Sequence, residues 1–376
     1  MHCSKPVVYI NQNSGYLMID IIHANQSCTE KSLITGRLIE RQVTLDKAVR
    51  MDKIIAYNRT SALKRIITWC WGFIQILWIV KTRYTQAHLF IVTNPPFNTF
   101  LPLLCKNSFS VLVFDVYPDA LLSYKVFRKI SFLSAVWEKA NRKVYAKAER
   151  IYTVSPGMKN MLCKYTSAEN ITVVPLWSNN NLVKPVPKSE NEFIRKYKLQ
   201  DKFIVMYSGN LGRTHNVEAI IDVAAALHDT DILFLIIGDG DKKEQITTAV
   251  NEKQLSNVCL LPWQPASMLM HSLSAADIGI VTLSNEAGNF SIPSKIFDLI
   301  STGTPLLCIA NKHTELVQLV SKYGIGKSFT KENVKEMAAY ILELKHNPAT
   351  CQQLQQNALA ASRDFTPKNS LKFAEA

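Results

Sequence analysis

Between residues 203 and 310, short apolar runs alternate with longer amphipathic ones, and this alternation constrains the fold more than any other feature of the chain. Phe203–Tyr207, Ile232–Ile237, Asn257–Leu261 and Asp277–Leu283 read as strands. The segments between them, such as Val217 to Leu227, have the period of helices about 10–15 residues long. Such alternation builds a parallel sheet with helices on both faces. Three loops, Ser208–Asn216, Gly238–Gly240 and Asn289–Lys295, follow strand ends. Glycines at 209, 212, 238 and 240 let the backbone approach a ligand closely there. The carboxyl ends of parallel strands are where α/β sheets bind their ligands.

The stretch Phe290 to Ala310 carries helix punctuation: Ser291 suits a cap, Pro293 a first helical turn and Gly303 an end. Ile292, Ile296, Leu299 and Ile300 share one face, while Ser294, Lys295 and Asp298 share another. A lysine in a first helical turn opposes the helix dipole, at a cost of roughly 0.3–1 kcal/mol. A bound anion removes that conflict, because free backbone N–H groups and the ammonium then bind it together. The plainer reading of Lys295 is a solvated surface lysine. Strand, loop, helix and a carboxylate one turn on favour a nucleotide-diphosphate site, with Asp298 placed for ribose hydroxyls.

A chain of 376 residues is long enough for two domains. Its net charge of +13 is segregated: residues 1–182 hold 23 Lys+Arg against 10 Asp+Glu, and the remainder is balanced. That asymmetry points to a polyanionic partner for the first half, either an anionic membrane surface or a nucleic acid. Val7–Ile10 reads as a buried strand leading into the polar loop Asn11–Gly15, where Asn13, Ser14 and Gly15 are candidate ligand contacts. Ile66–Val80 is the most apolar run; fifteen residues fall short of the ~20 that span a bilayer. A core helix is the first reading of it, and a membrane-surface helix with basic flanks the second. His88–Val92 and Ser110–Phe114 read as further strands, the latter ending at Asp115, with Asp119 four residues on. Basic residues 139, 142, 143, 147 and 150 cluster along a helix over Ser134–Glu149. The eight cysteines are scattered, with no C-x-x-C, which suits a reducing compartment. The N-terminus reads as lacking a signal peptide.

YSGNLGRTHNVEAI, LIIGDGDKKEQI and IPSKIFDLISTGTPLL resemble the donor domain of the retaining GT-B glycosyltransferases of glycosyltransferase family 4, bacterial surface-polysaccharide type. VTNPP, FDVYPD, RIYTVSPGM and ITVVPLWSNN are similar to the acceptor domain of the same group. The resemblance implies an α/β protein of GT-B fold, two Rossmann-like domains with parallel sheets facing across a cleft. It implies an acceptor-binding domain over 1–180, a linker over 181–190, a nucleotide-sugar-binding domain over 191–363 and a helix over 364–376 packing back on the first domain.

Departures from the family pattern matter. Where the family carries an arginine and a lysine on the diphosphate, this chain has Asn210 and His215. Arg213 and Lys295 are the cations available instead, and Asp298 stands for the ribose carboxylate. The sugar-reading carboxylate has no clean match, since the usual spacing lands on Phe290; Glu286 serves only if the loop has grown. The implied catalytic set is Lys295, Arg213 and Asp115. The implied donor contacts are Gly209, Asn210, Gly212, His215, Gly238, Asp239, Glu286, Ser291, Pro293, Ser294 and Asp298. Asn13, Ser14, Gly15 and Asp119 fall on the acceptor side. No metal or other cofactor is expected, because cations already neutralise the diphosphate. The implied activity is sugar transfer, with retention, from a nucleotide-sugar to a glycan or polyprenyl-diphosphate-linked acceptor in O-antigen or capsule synthesis. The protein is then cytoplasmic and peripheral at the inner face of the plasma membrane. Rivals are a sugar-nucleotide epimerase of the same fold and a catalytically inactive partner in an assembly complex. Nucleic-acid binding rests on charge alone, without a recognisable motif.

Overall fold

The computed structural model describes residues 5–28, 30–40, 43–58, 60–119, 131–212, 215–284 and 292–374. The chain forms two compact units, residues 1–176 with 367–376, and 177–366.

In the first unit the strands are β1 (Val7–Ile10), β2 (Asn13–Ser14), β3 (Lys31–Thr35), β4 (Arg37–Leu38), β5 (Arg50–Lys53), β6 (His88–Val92), β7 (Phe109–Val113), β8 (Arg150–Thr153) and β9 (Ile171–Val173). Seven of them make one sheet in the order β5-β3-β1-β6-β7-β8-β9, every pair parallel. β2 and β4 pair separately beside it. β1 and β7 are buried at every position, as expected of strands covered on both faces. Strand order reverses between β1 and β6, so the loops after these two strands diverge and leave a crevice at their carboxyl ends.

The second unit repeats the plan with β10 (Phe203–Ser208), β11 (Ile232–Ile237), β12 (Val258–Leu261), β13 (Ile278–Thr282), β14 (Leu306–Ile309) and β15 (Gly326–Phe329). Its order is β12-β11-β10-β13-β14-β15, all parallel, with the reversal between β10 and β13. Val205, Tyr207, Phe234 and Ile236 of the sheet pack with Ile220 and Val223 of the Glu218–Ala226 helix and Met337 and Ile341 of the Val334–His346 helix. Both units are thus the parallel α/β domains that the strand–helix alternation predicts.

Three expectations differ from what is found. The segment 181–190 belongs to the second unit rather than bridging the two. Trp177 and Val183 are buried, Asn180 Nδ2 donates to Ser362 O (2.8 Å), and the Ser178 N–H donates to Phe365 O (3.2 Å). The tail that joins the first unit begins at Pro367, not at Asp364, and is a 3₁₀ segment, Pro367–Phe373. Asp364 stays behind because it accepts from Tyr323 Oη (2.8 Å), and Phe365 because its ring packs at a tilt on Phe297. Phe373 is buried against Phe90 and Tyr152. The apolar run centred on 66–80 belongs to a 22-residue helix, Ala62–Arg83, that is not a core helix. Among the described residues only one of its faces is covered, and Leu63, Ile67, Trp71 and Trp78 are exposed.

Candidate functional site

Three loops of the second unit follow the neighbouring carboxyl ends of β10, β11 and β13, the third lying outside the described residues over 285–291. Backbone hydrogen bonds lock the first two together: Gly209 N–H to Ile237 O and Leu211 N–H to Asp239 O, both 2.9 Å. Glycine is required for this approach. At Gly238 φ is +152°, and a Cβ there would lie 1.9 Å from Gly209 O. Gly240 has the same φ, and a Cβ would press on the Leu211 backbone at 2.7 Å. A Cβ on Gly212 would meet the Asn210 side chain at 2.5 Å.

Lys295 is the first residue of its helix, Lys295–Ser301. Ser294 holds the cap position without a side-chain cap bond, and Pro293 lies in the turn before it, its carbonyl accepting from Ile296 N–H (3.1 Å). Helix start is therefore two residues later than the proline predicts, because Pro293 closes the entry turn rather than opening the helix. Ile296, Leu299 and Ile300 are buried as expected, joined by Phe297, which packs on Phe365.

The Lys295 side chain does not reach into solvent. Its ammonium lies 3.7 Å from the centre of the Tyr207 ring, a cation–π contact. It crosses so close to Gly209 that a Cβ there would sit 2.3 Å from Nζ. The ammonium is buried and has no hydrogen-bond partner among the described residues. Burial lowers its pKa from the usual lysine range to about 7. The surface-lysine reading is thereby corrected: this is a desolvated cation whose three donors meet no acceptor among the described residues.

His215 is beside it. Nδ1 is 3.1 Å from the carbonyl oxygen of Thr282, which only accepts, so Nδ1 carries the proton. Burial, then the charge of Lys295, push its pKa down to about 4. The imidazole is therefore neutral at physiological pH in the free protein. Lys242 is spoken for: it donates to His215 O (2.8 Å) and pairs with Glu218 (2.8 Å). Asn210 is exposed; its carbonyl accepts from Tyr207 Oη (2.7 Å). Asp239 is exposed and turned to its own loop, accepting from Gly240 N–H (2.9 Å).

Asp298 is one helical turn beyond Lys295 and accepts from the buried Ser178 hydroxyl at 2.6 Å. Arg213, Glu286 and Ser291 lie outside the described residues. Tyr207, Thr282 and Ser178 are site residues that sequence reasoning missed. The position of Tyr207 as the penultimate residue of β10, next to the glycine loop, was the available signal for it. Ser178 is 120 residues from Asp298 and gave none.

In the first unit, Ser14 is buried, donating to Asn11 O (3.1 Å) and accepting from Thr35 Oγ1 (3.1 Å). The Asn13 backbone N–H donates to Asn11 Oδ1 (3.3 Å), and Gly15 caps the Tyr16–Ala24 helix with extended backbone. Asp115 follows β7 with its surface open to solvent, yet the protein crowding the carboxyl raises its pKa to about 6. Asp119 is committed to structure: it accepts from Tyr165 Oη (2.7 Å) and pairs with Lys164 (3.4 Å). Among the described residues no group of three or more His, Cys, Asp or Glu side chains is placed to hold a metal ion.

Comparison with known proteins agrees with this geometry. Residues 189–360 match the family described as glycosyl transferases group 1. WbjE of Pseudomonas aeruginosa, named as a probable glycosyltransferase, is 23% identical over 235 residues, covering 62% of this chain and 59% of that protein. WcaI of Escherichia coli (strain K12), named for a role as a colanic acid biosynthesis glycosyl transferase, is 28% identical over 227 residues, 58% of this chain and 55% of that one. This chain therefore spans less than three fifths of the length of both relatives. Among solved structures, Anabaena Alr3699/HepE in complex with UDP-glucose superposes with a TM-score of 0.71 at 14% identity, covering 99% of this chain and 98% of that one. At that identity the likeness shows the fold alone, and the fold is GT-B.

Proposed function

We propose, from the match of residues 189–360 to the glycosyl transferases group 1 family, that the chain transfers a sugar from a nucleotide-sugar to a glycan or polyprenyl-diphosphate-linked acceptor, with retention of anomeric configuration, in surface-polysaccharide synthesis. The observation that carries this reading is the buried ammonium of Lys295, without a hydrogen-bond partner among the described residues, at the strand-order reversal of the second unit. A desolvated cation with unused donors is costly in the free protein and suited to a diphosphate.

In this reading Lys295 donates to the donor's phosphate oxygens and, with Arg213, stabilises the nucleoside diphosphate as it leaves. A donor aimed at developing charge in a water-poor site is worth ~2.7–4 kcal/mol of barrier. An anion beside Lys295 also restores its proton affinity, so donor binding above about pH 7 takes up a proton. Gly209, Gly212, Gly238 and Asn210 bring backbone to the phosphates, and Ser291, Pro293 and Ser294 shape the entry to the Lys295 helix. Asp298 takes the ribose hydroxyls, with Ser178 fixing its orientation. Glu286 reads the sugar. Neutral His215 positions Lys295 and the loop rather than neutralising charge. On the acceptor side, Asp115 is poised near pH 6 to accept a proton from the incoming hydroxyl. Asn13 and Gly15 contact the acceptor, while Ser14 and Asp119 hold the loops that present them. The cations supply the role a metal has in other transferases, so the reaction is metal-independent in this reading.

A thermal-shift series with UDP-, GDP-, CDP- and dTDP-sugars tests the donor half, since a bound donor raises apparent stability. Release of free nucleotide only when acceptor is present then distinguishes transfer from epimerisation. Absence of a shift with every nucleotide-sugar would remove the reading. Asn210 and neutral His215 in place of cations favour a second one, an inactive assembly partner, for which a shift without turnover is the signature.

A further inference from the structure

The Ala62–Arg83 helix is bound to the first unit by one face only. On that face its own Ile76, Ile79 and Val80 are buried. Polar ties fix its roll: Gln12 Nε2 donates to Thr68 O (2.8 Å), Ile55 N–H donates to Gln75 Oε1 (2.8 Å), and Arg83 pairs with the buried Asp52. On the opposite side Leu63, Ile67, Trp71, Ile74 and Trp78 recur every three or four residues and make one continuous outward stripe. Trp71 and Trp78 are 53% and 59% exposed. Soluble monomers rarely leave an apolar stripe of this length uncovered.

We propose that this stripe is an in-plane anchor that seats the first unit on an anionic phospholipid surface. By length and composition the helix could cross a membrane. Its buried face and polar ties instead hold it flat on the unit, so it lies on the bilayer with its stripe about 5–10 Å into the headgroup boundary. Indole rings favour that boundary, where one edge is apolar and the other wet. Cations stand at both ends: Lys64 and Arg65 at the start, Lys81 and Arg83 at the finish, the Arg83 guanidinium 6.0 Å from the Trp78 ring centre. The Pro96–Phe100 turn packs against both this helix and the Ser131–Tyr145 helix, which itself exposes Phe132 and Val136 and then Lys139, Arg142 and Lys143. Charge selects the occupant. Residues 1–182 carry 23 basic against 10 acidic residues, so a second copy docked here would meet like charge, whereas an anionic bilayer is attracted.

The test uses the full chain and vesicles of phosphatidylcholine with or without phosphatidylglycerol. Wild type should sediment with the anionic vesicles, less so as salt rises, and brominated acyl chains should quench its tryptophan emission. Trp71→Glu with Trp78→Glu should weaken binding by about tenfold or more and lose the quenching, with an unchanged melting curve. Should that variant misfold, Lys64→Gln with Lys81→Gln, which leaves the packed face alone, should cut binding to anionic vesicles several-fold. Equal recovery on neutral and anionic vesicles overturns the proposal. So does binding without quenching, or a dimer that the tryptophan variant dissociates while vesicles recover nothing.

Discussion

Lys295 concentrates the residue-scale physics. Its folded pKa of about 7 lies below the ~10.4 of an unfolded lysine. Between those values the unfolded chain binds more protons, so stability should rise with pH across that window; below about pH 7 the full desolvation cost is present. Lys295→Met should therefore stabilise the free protein near pH 6–7, by an amount on the order of 1–3 kcal/mol, and flatten its rise towards pH 10. Urea melts over a pH series check this, and identical slopes for the two proteins would refute the burial of the ammonium. The same variant should lose the nucleotide-dependent rise in melting temperature, which separates a functional cation from a merely tolerated one. Asp298→Asn should behave differently. A ribose contact remote from the reacting bond acts on ground state and transition state alike, so KM for the donor should rise several-fold while kcat changes little. Steady-state kinetics with one donor–acceptor pair decide it; a fall in kcat at constant KM would place Asp298 at the chemistry instead.

At the scale of elements, the paired loops after β10 and β11 act as one cradle. Gly238→Ala must push against Gly209 O and adopt a φ of +152°, so it should cost at least ~1–3 kcal/mol and abolish nucleotide binding. Gly15→Ala is the matched control: the nearest atom to its Cβ is 3.9 Å away, and both melting temperature and nucleotide binding should stay near wild type. Calorimetry on the pair checks both, and a well-tolerated Gly238→Ala would mean the loops part easily. The sequence located the strands buried on both faces, β1, β6, β10, β11 and β13, to within about a residue. It left β3 and β5 unassigned and passed over β15. Arg50–Lys53 and Gly326–Phe329 are edge strands with largely uncovered, polar residues, so they lack the unbroken apolar run that marks a central strand. The Ala62–Arg83 helix was misread for the converse reason. Apolar content signals a face that avoids water, but not whether protein covers it.

For the whole molecule, the chain passes between units twice, at Leu176/Trp177 and at Thr366/Pro367. The second unit is therefore one unbroken segment and the first is not. A fragment of residues 177–366 should fold and show the same nucleotide-sugar preference as the full chain, and should not sediment with anionic vesicles. Differential scanning fluorimetry and vesicle recovery on the fragment check this. A nucleotide shift seen only in the full chain would show that the first unit is needed to complete the donor site.

What the sequence determined by itself is whatever rests on local pattern. Strand–helix alternation specified parallel sheets, glycines marked the loops that must approach one another, and the misplaced cation in a first helical turn singled out Lys295. The uneven charge likewise placed the whole excess of cations in the first half. Only the tertiary structure decided what depends on contacts across long sequence distances. Lys295 lies on Tyr207, 88 residues away in sequence, because the ends of β10 and β13 meet at a reversal of strand order. Asp298 is oriented by Ser178, and His215 is neutral because burial and the neighbouring charge of Lys295 lower its pKa. A solvated lysine and a desolvated one are the same letter, and what distinguishes them is the density of protein that folding brings around the ammonium.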